Sequence, residues 1–152
     1  ASYGYDSTGR MVTVQDPTGA VATTVYDAAG QVAASVDPTG IATSYGYDSL
    51  GRLETTTDAV GAVWTTVYDA AGQMAASVDP LGRRTSYAYD LAGRMTATTD
   101  AAGGIATTVY DLSGRVVASV DPIGRRSTYT YDLAGRTETV QDPTGAVATT
   151  VY

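Results

Sequence analysis

The chain has 152 residues, a formal net charge of −7, and no Cys, His or Phe. The missing Cys and His exclude disulfides, thiolate metal sites and catalysis by a histidine base or a cysteine nucleophile, so we expect no enzyme activity and no cofactor. The negative charge argues against a nucleic-acid partner, and no apolar run approaches the roughly 20 residues of a membrane span.

The chain is an array of one repeated unit. Residues 1–4 match the end of a unit, compare residues 43–46, and from Tyr5 onwards a Tyr-Asp pair recurs at a constant interval, with Tyr152 at the next such position. No atypical cap is visible at either end of the array. We therefore predict one uncapped array over residues 1–152, a segment of a longer protein or fibre, with units starting at residues 5, 26, 47, 68, 89, 110 and 131.

Each unit holds two Asp-x-x-Gly turns, and the second is often Asp-Pro-x-Gly. Asp at the first turn position, Pro at the second and Gly at the fourth are typical of a type I β-turn. Carboxylates repeated in this way could bind calcium, but equivalent positions in every unit indicate a structural role, since an active site needs one distinctive place. We assign structural turn roles to Asp6, Gly9, Asp16, Pro17, Gly19, Asp111, Gly114, Asp121, Pro122 and Gly124.

The runs between turns are about six residues long and rich in Val, Thr, Ser and Tyr, which favours β-strands. The predicted fold is all-β: a repetitive antiparallel meander of β-hairpins, wound into a spiral ribbon, tube or solenoid. Strict alternation along the strand after the first turn predicts that Met11 and Thr13 share one face. Odd units end in Thr-Thr-Val and even units in a Tyr-containing tail, so the pattern also fits a period of two units.

Tyrosine is the plentiful aromatic residue, with 12 copies. If the units stack in register, the Tyr that opens each unit forms a structural ladder of packed rings. The predicted ladder consists of Tyr5, Tyr26, Tyr47, Tyr68, Tyr89, Tyr110 and Tyr131. A second set, Tyr45, Tyr87 and Tyr129, would serve a sugar-binding surface if its rings were exposed beside the doublets Arg83-Arg84 and Arg125-Arg126.

The combination of YDxxGR and DPxG at a 21-residue spacing resembles the RHS/YD-repeat family and covers essentially the whole chain. The resemblance implies a long spiralling β-structure, as in bacterial RHS toxin shells, Tc-toxin cocoons, wall-associated proteins and teneurins. It also implies a self-cleaving aspartyl site after a DPxGL-like motif in shells. Here Asp79-Pro80-Leu81-Gly82 is followed by Arg83, so we carry over no catalytic residue.

Three functions follow from this pattern. The first is a structural extracellular or bacterial cell-surface protein that forms a fibre by self-association along the repeat axis, because units of identical length propagate one screw operation. The alternative is a wall segment of an RHS-type toxin-encapsulating shell, and the third is a carbohydrate-binding adhesin. Glycans are further expected partners of a fibre, with candidate O-glycan sites at Thr23, Thr24, Thr65, Thr66, Thr107, Thr108, Thr149 and Thr150.

Overall fold

The computed structural model describes all residues, 1–152, and contains only strands and turns. Strand order follows chain order and the paired strands are antiparallel, so the predicted all-β meander is confirmed. The strands are β1 Ser2–Tyr5, β2 Met11–Gln15, β3 Val21–Tyr26, β4 Val32–Val36, β5 Ala42–Tyr47, β6 Leu53–Thr57, β7 Val63–Tyr68, β8 Met74–Val78, β9 Arg84–Tyr89, β10 Met95–Thr99, β11 Ile105–Tyr110, β12 Val116–Val120, β13 Arg126–Tyr131, β14 Thr137–Gln141 and β15 Val147–Thr149.

The chain divides into two compact parts, each made of several sequence repeats, which we call the first unit and the second unit. The first comprises residues 1–67 and 77–82, and the second comprises residues 68–76 and 83–152. Ladders run from β1 to β7 in the first unit and from β9 to β15 in the second. Within each unit a strand contacts only its immediate neighbours. Each unit is therefore a single layer of strands with two accessible faces.

Each hairpin closes through the same backbone pattern. In the first hairpin the Gly9 amide donates to the Asp6 carbonyl at 3.0 Å, and the Asp6 amide donates to the Arg10 carbonyl at 2.9 Å. Gly9 has a φ of 82°, and the fourth residue of every turn is a glycine with φ between 77° and 91°. A type I turn followed by a left-handed glycine gives the three-residue loop that joins antiparallel strands with the correct twist. Glycine is required there because a Cβ disfavours this conformation.

A β-bulge near the start of a strand in the sequence repeats places one residue on the face opposite to the predicted one. Tyr5 pairs with Met11 and Gly4 pairs with Thr13, so the register shifts by one residue and Val12 is the extra residue. Because Tyr5 and Gly4 point to opposite faces, their partners Met11 and Thr13 do so as well. The prediction that Met11 and Thr13 share a face is therefore wrong. The same shift recurs at the start of β4, β6, β10, β12 and β14.

Few side chains are completely buried. Only Ala76 and Ala118 have no solvent-accessible surface, and both are small. Large apolar residues in the strands remain partly exposed, as with Met95 and Trp64. The fold is therefore held mainly by ladder hydrogen bonds and contacts between neighbouring strands, as in repeat proteins whose units support one another.

Candidate functional surfaces

The strand pairings separate the side chains into two faces of different chemistry. We call one the aromatic face, since cross-strand pairs such as Tyr47 with Leu53 and Tyr131 with Thr137 place the Tyr that opens each repeat beside the first residue of the next strand. We call the other the hydroxyl face, since it carries pairs such as Thr13 with Thr23 and Ala118 with Thr128. In the second unit the strand residues of the hydroxyl face are Arg84, Ser86, Ala88, Ala97, Thr99, Ile105, Thr107, Val109, Ala118, Val120, Arg126, Thr128, Thr130, Thr139, Gln141, Val147 and Thr149.

The Tyr-Asp turns carry a charged network. The Asp111 carboxylate accepts hydrogen bonds from the Ser113 and Arg115 amides, both at 2.9 Å, and from Arg115 Nε at 2.7 Å. The Arg115 amide and then its guanidinium hold the pKa of Asp111 below its usual range. Arg10, Arg52, Arg94 and Arg136 make the equivalent pair with the Asp four residues earlier.

The other turns satisfy their Asp locally. Asp16 Oδ1 accepts from the Thr18 hydroxyl at 2.6 Å and from the Thr18 and Ala20 amides, and the Thr18 hydroxyl is the main cause that lowers the pKa of Asp16. At Asp121 desolvation is the largest single influence and works to raise the pKa, but the hydrogen bonds from Arg125 and Ile123 together outweigh it and lower the pKa. The predicted turn residues thus lie at hairpin ends, where each carboxylate binds its own loop.

Arginine and tyrosine connect successive repeats. Arg115 Cζ lies 4.6 Å from the centroid of the Tyr131 ring, and the Tyr131 hydroxyl donates to the Val116 carbonyl at 2.6 Å. A guanidinium over a ring is attracted by the negative charge of the ring face. The same arrangement joins Arg10 to Tyr26 and Arg94 to Tyr110. Each predicted ladder Tyr in these repeats therefore lies beneath a guanidinium from the preceding repeat.

Glutamine replaces arginine in two repeats and bridges them differently. Gln31 Nε2 donates to the Gly51 carbonyl at 2.8 Å, and Gln73 Nε2 donates to the Gly93 carbonyl at 3.3 Å. In both cases the acceptor belongs to the glycine of the next Tyr-Asp turn. The position after the turn glycine thus contributes to contacts between repeats with either residue.

The second tyrosine set is half-buried on the aromatic face. The Tyr45 hydroxyl lies 3.2 Å from Ser35 Oγ, and the Tyr129 hydroxyl lies 3.4 Å from Ser119 Oγ. Tyr45 and Tyr47 also line an open recess of about 380 Å³ with Thr24, Val32, Ser35 and Leu53. Arg126 and Tyr129 are separated by an odd number of positions in β13, so the two lie on opposite faces. Arg126, the second arginine of the doublet, and Tyr129 therefore do not contribute to one sugar site on a single face.

The candidate O-glycan sites divide between the faces, because adjacent strand residues point in opposite directions. Thr149 and Thr150 are exposed, whereas Thr23, Thr24, Thr65, Thr66, Thr107 and Thr108 are half-buried. The segment resembling a cleavage motif is an ordinary turn, with the Gly82 amide donating to the Asp79 carbonyl at 2.9 Å. No three carboxylates come together in an arrangement that would hold a metal ion.

No helix long and apolar enough to cross a membrane is present. The family comparison matches three consecutive stretches of the sequence. The RHS Repeat model aligns with residues 26–63, 68–105 and 110–147, so each match begins at a unit-opening Tyr and skips every second one. The chain belongs to the RHS repeat family. This confirms the resemblance and agrees with the double repeat of odd and even units.

Several solved structures of similar fold belong to toxin complexes. A chain of the Photorhabdus luminescens Tc holotoxin pore, carrying the TccC3-D651A mutation, is 16% identical and matches 97% of this chain with a TM-score of 0.76. TcdB2-TccC3 bound to Cdc42 matches 90% at 16% identity and a TM-score of 0.71, and TcdB2-TccC3 matches 88% at 20% identity and a TM-score of 0.70. This chain spans only 8–9% of the length of those chains. No curated protein matches the sequence.

Sequence reasoning missed how the repeats are joined. It did not show that Arg115, which pairs with Asp111, also covers Tyr131. The signal is a Tyr at a constant distance after each of these arginines, as in Arg10 and Tyr26. That spacing becomes meaningful only when the hairpin register is known, because the two residues lie in different repeats.

Proposed function

We propose that this chain is a wall segment of an RHS-type shell that encloses a polypeptide cargo, in a secreted or cell-surface bacterial protein. The observation that carries the proposal is the match of 97% of the chain to a Tc holotoxin component at a TM-score of 0.76. Family membership supports a structural repeat protein, and the toxin structures favour the shell over the fibre. The role of this segment is then mechanical, and chemistry would belong to other parts of the product.

The chemistry of the sheet supports such a wall. A single layer of strands leaves two faces accessible, and these differ strongly in composition. The aromatic face offers half-exposed Tyr and Met side chains, such as Tyr110 and Met95, which contact unfolded segments without requiring a particular sequence. The hydroxyl face has no aromatic ring in the second unit and mixes Ser and Thr with smaller aliphatic residues, such as Ala97 and Val109. A wall needs this asymmetry, since one face meets cargo and the other does not.

A fibre scaffold is the second candidate function. The observation that favours it is regularity: the segment from Val14 to Tyr26 recurs unchanged as Val140 to Tyr152. Equal unit lengths allow self-association along the repeat axis by one repeated screw operation. In a fibre both faces contact solvent, and the candidate threonines would be available for O-glycans on either side.

Electron microscopy of the intact, unboiled product tests the proposal. A shell gives discrete hollow particles, and a cargo segment inside them resists added protease until the particle is opened by denaturant. Long filaments with an axial repeat that corresponds to one sequence unit, or to an odd and even pair of units, would overturn the shell and establish the fibre. Intact mass spectrometry in the same experiment detects any glycan as added mass.

A further inference from the structure

Two arginines on the hydroxyl face of the second unit have no carboxylate partner. The Arg126 guanidinium forms neither a hydrogen bond nor an ion pair. Arg84 Nε donates only to Ser86 Oγ, at 3.2 Å. By contrast, the neighbouring Arg125 pairs with Asp121 at 2.6 Å. A guanidinium without an anion is a ready donor for an external carboxylate, which it binds in a two-pronged geometry.

The strand register fixes where these arginines lie. Following the pairs from Arg126 across the sheet leads to Val120, Thr107, Ala97 and finally Ala88, four strands away. Arg84 begins β9 and lies on the same face as Ala88, two alternations earlier. With about 4.8 Å between strands and about 3.3 Å per residue along a strand, Arg84 and Arg126 are roughly 23 Å apart.

Aliphatic side chains alternate with the arginines along the same diagonal. Ile105 lies two strands and two residues from Arg126 in the direction of Arg84, which places it midway between them. Val147 occupies the corresponding position on the other side of Arg126. Ile105 is 52% exposed and Val147 58%. The row Arg84, Ile105, Arg126, Val147 is therefore a line of alternating cationic and apolar side chains, with roughly 12 Å between neighbours.

The residue types around this row indicate which class of partner could bind there. The strand residues of this face include no aromatic ring on which a sugar could stack and no carboxylate that would repel an anion. An extended peptide lying on a sheet face would leave its own backbone groups without partners, whereas a helix satisfies them internally. A helix also repeats its surface every two turns, about 11 Å, which is close to the spacing of the row.

We propose that the row Arg84, Ile105, Arg126, Val147 is a docking surface for an acidic amphipathic helix, whose carboxylates and apolar side chains alternate every two turns. The small Ala, Ser and Thr residues around the row let the helix approach closely. The carboxylates of the helix pair with the two arginines, and its apolar side chains cover Ile105 and Val147. This surface is independent of the shell proposal, because it requires only the geometry of the second unit.

A synthetic helical peptide tests the surface. The probe carries glutamates about four turns apart on one face with a leucine midway, and its control replaces the glutamates by glutamine. Calorimetry on the full chain should show binding of the first peptide that weakens with salt, and at least about tenfold weaker binding of the control. Equal affinity of the two peptides would overturn the proposal.

Matched variants separate the row from general charge. Arg126→Gln and Arg84→Gln should each weaken binding about tenfold, whereas Arg125→Gln, with the same charge change one residue away, should change it less than about twofold. Thermal unfolding of Arg126→Gln should match the parent, because its guanidinium has no partner in the fold. An equal loss for Arg125→Gln, or polygalacturonate that binds as tightly and competes, would overturn a helix site. Hollow particles from either variant would leave the shell proposal standing.

Discussion

The turns form two rows, one at each end of the strands, and we call each row an edge. The turns of the two edges have nearly identical backbones, but only one edge makes side-chain contacts with the next repeat. At the Tyr-Asp edge, the residue after the turn glycine crosses to the next repeat, either as Arg115 over Tyr131 or as Gln31 to the Gly51 carbonyl. At the other edge, Asp16 binds only its own loop. One edge therefore couples repeats, while the other closes hairpins. The regular spacing of the turns in the sequence gives no indication of this difference.

Acid should unfold the array, and this is the largest expected effect because carboxylates at both edges act together. The pKa values of Asp6, Asp16, Asp111 and Asp142 are lowered in the folded chain by hydrogen bonds to their carboxylates. Their stabilisation is present above about pH 4, where the unfolded chain is also ionised. As pH falls below that value, the unfolded chain takes up protons that the folded chain does not, so stability falls.

Thermal melts followed by circular dichroism from neutral pH to about pH 3 measure this loss. Salt sharpens the comparison of the edges. The contribution of the arginine pairs at the Tyr-Asp edge is screened, whereas that of the Thr18 hydroxyl is not. Carboxyl chemical shifts should therefore show a salt-dependent titration for Asp111 and a salt-independent one for Asp16. A constant Tm across this range of pH would contradict the prediction.

Removal of one ring at the coupling edge is the next largest effect. Tyr131→Ala deletes the surface under Arg115 and the hydrogen bond to the Val116 carbonyl, so we expect a loss of about 2 kcal/mol in the free energy of unfolding. Tyr131→Phe keeps the ring and should cost about 1 kcal/mol. Urea unfolding measures both changes. The control is Leu133→Ala at the neighbouring turn, where the side chain is fully exposed and the change should be within about 0.5 kcal/mol.

The turn chemistry could be predicted because it is local. Asp at the first position and Gly at the fourth determine a turn from four adjacent residues, and each such stretch forms the expected loop, for example Asp6 to Gly9. The all-β meander follows from the regular spacing of these turns, which alternates between 10 and 11 residues. Family membership follows from the same motifs, since they are what the three matched stretches share.

The faces could not be predicted in full, because they depend on register. A bulge next to Met11 inverts one residue per unit, and alternation along the sequence contains no signal for it. The placement of Arg84 and Arg126 on one face also depends on register. The two residues are distant in sequence, and four strand pairings are needed to relate them. Contacts and shared faces of residues that are distant in sequence could therefore be identified only from the structure.

A methyl group at the turn glycines probes the two edges with one substitution. Gly114 and Gly124 have φ values of 84° and 82°, so alanine at either position should cost about 1 to 2 kcal/mol. A Cβ at Gly114 would also lie 3.4 Å from Arg94 Nη1, whereas one at Gly124 would meet nothing within 4 Å. That distance is an ordinary van der Waals contact with the end of a flexible side chain, so urea unfolding should place the two variants within about 0.5 kcal/mol of each other. A much larger loss for Gly114→Ala would show that the added methyl group disturbs Arg94 at the Tyr-Asp edge.

Exchange between the two coupling residues should have the smallest effect. Arg115→Gln loses the pair with Asp111 and the contact over Tyr131, but the new amide is placed to donate to the Gly135 carbonyl, as Gln31 does to Gly51. We expect a decrease in Tm smaller than that of Tyr131→Phe, together with weaker salt dependence.

The reciprocal change, Gln31→Arg, completes the exchange test. It gives position 31 the same spacing to Asp27 and Tyr47 that Arg10 has to Asp6 and Tyr26. This variant should keep its Tm at low salt and become more salt-dependent. If both exchanges lowered Tm as much as Tyr131→Ala, the two residues would not be interchangeable couplers. The distribution of Arg and Gln along the array would then reflect a requirement specific to each position.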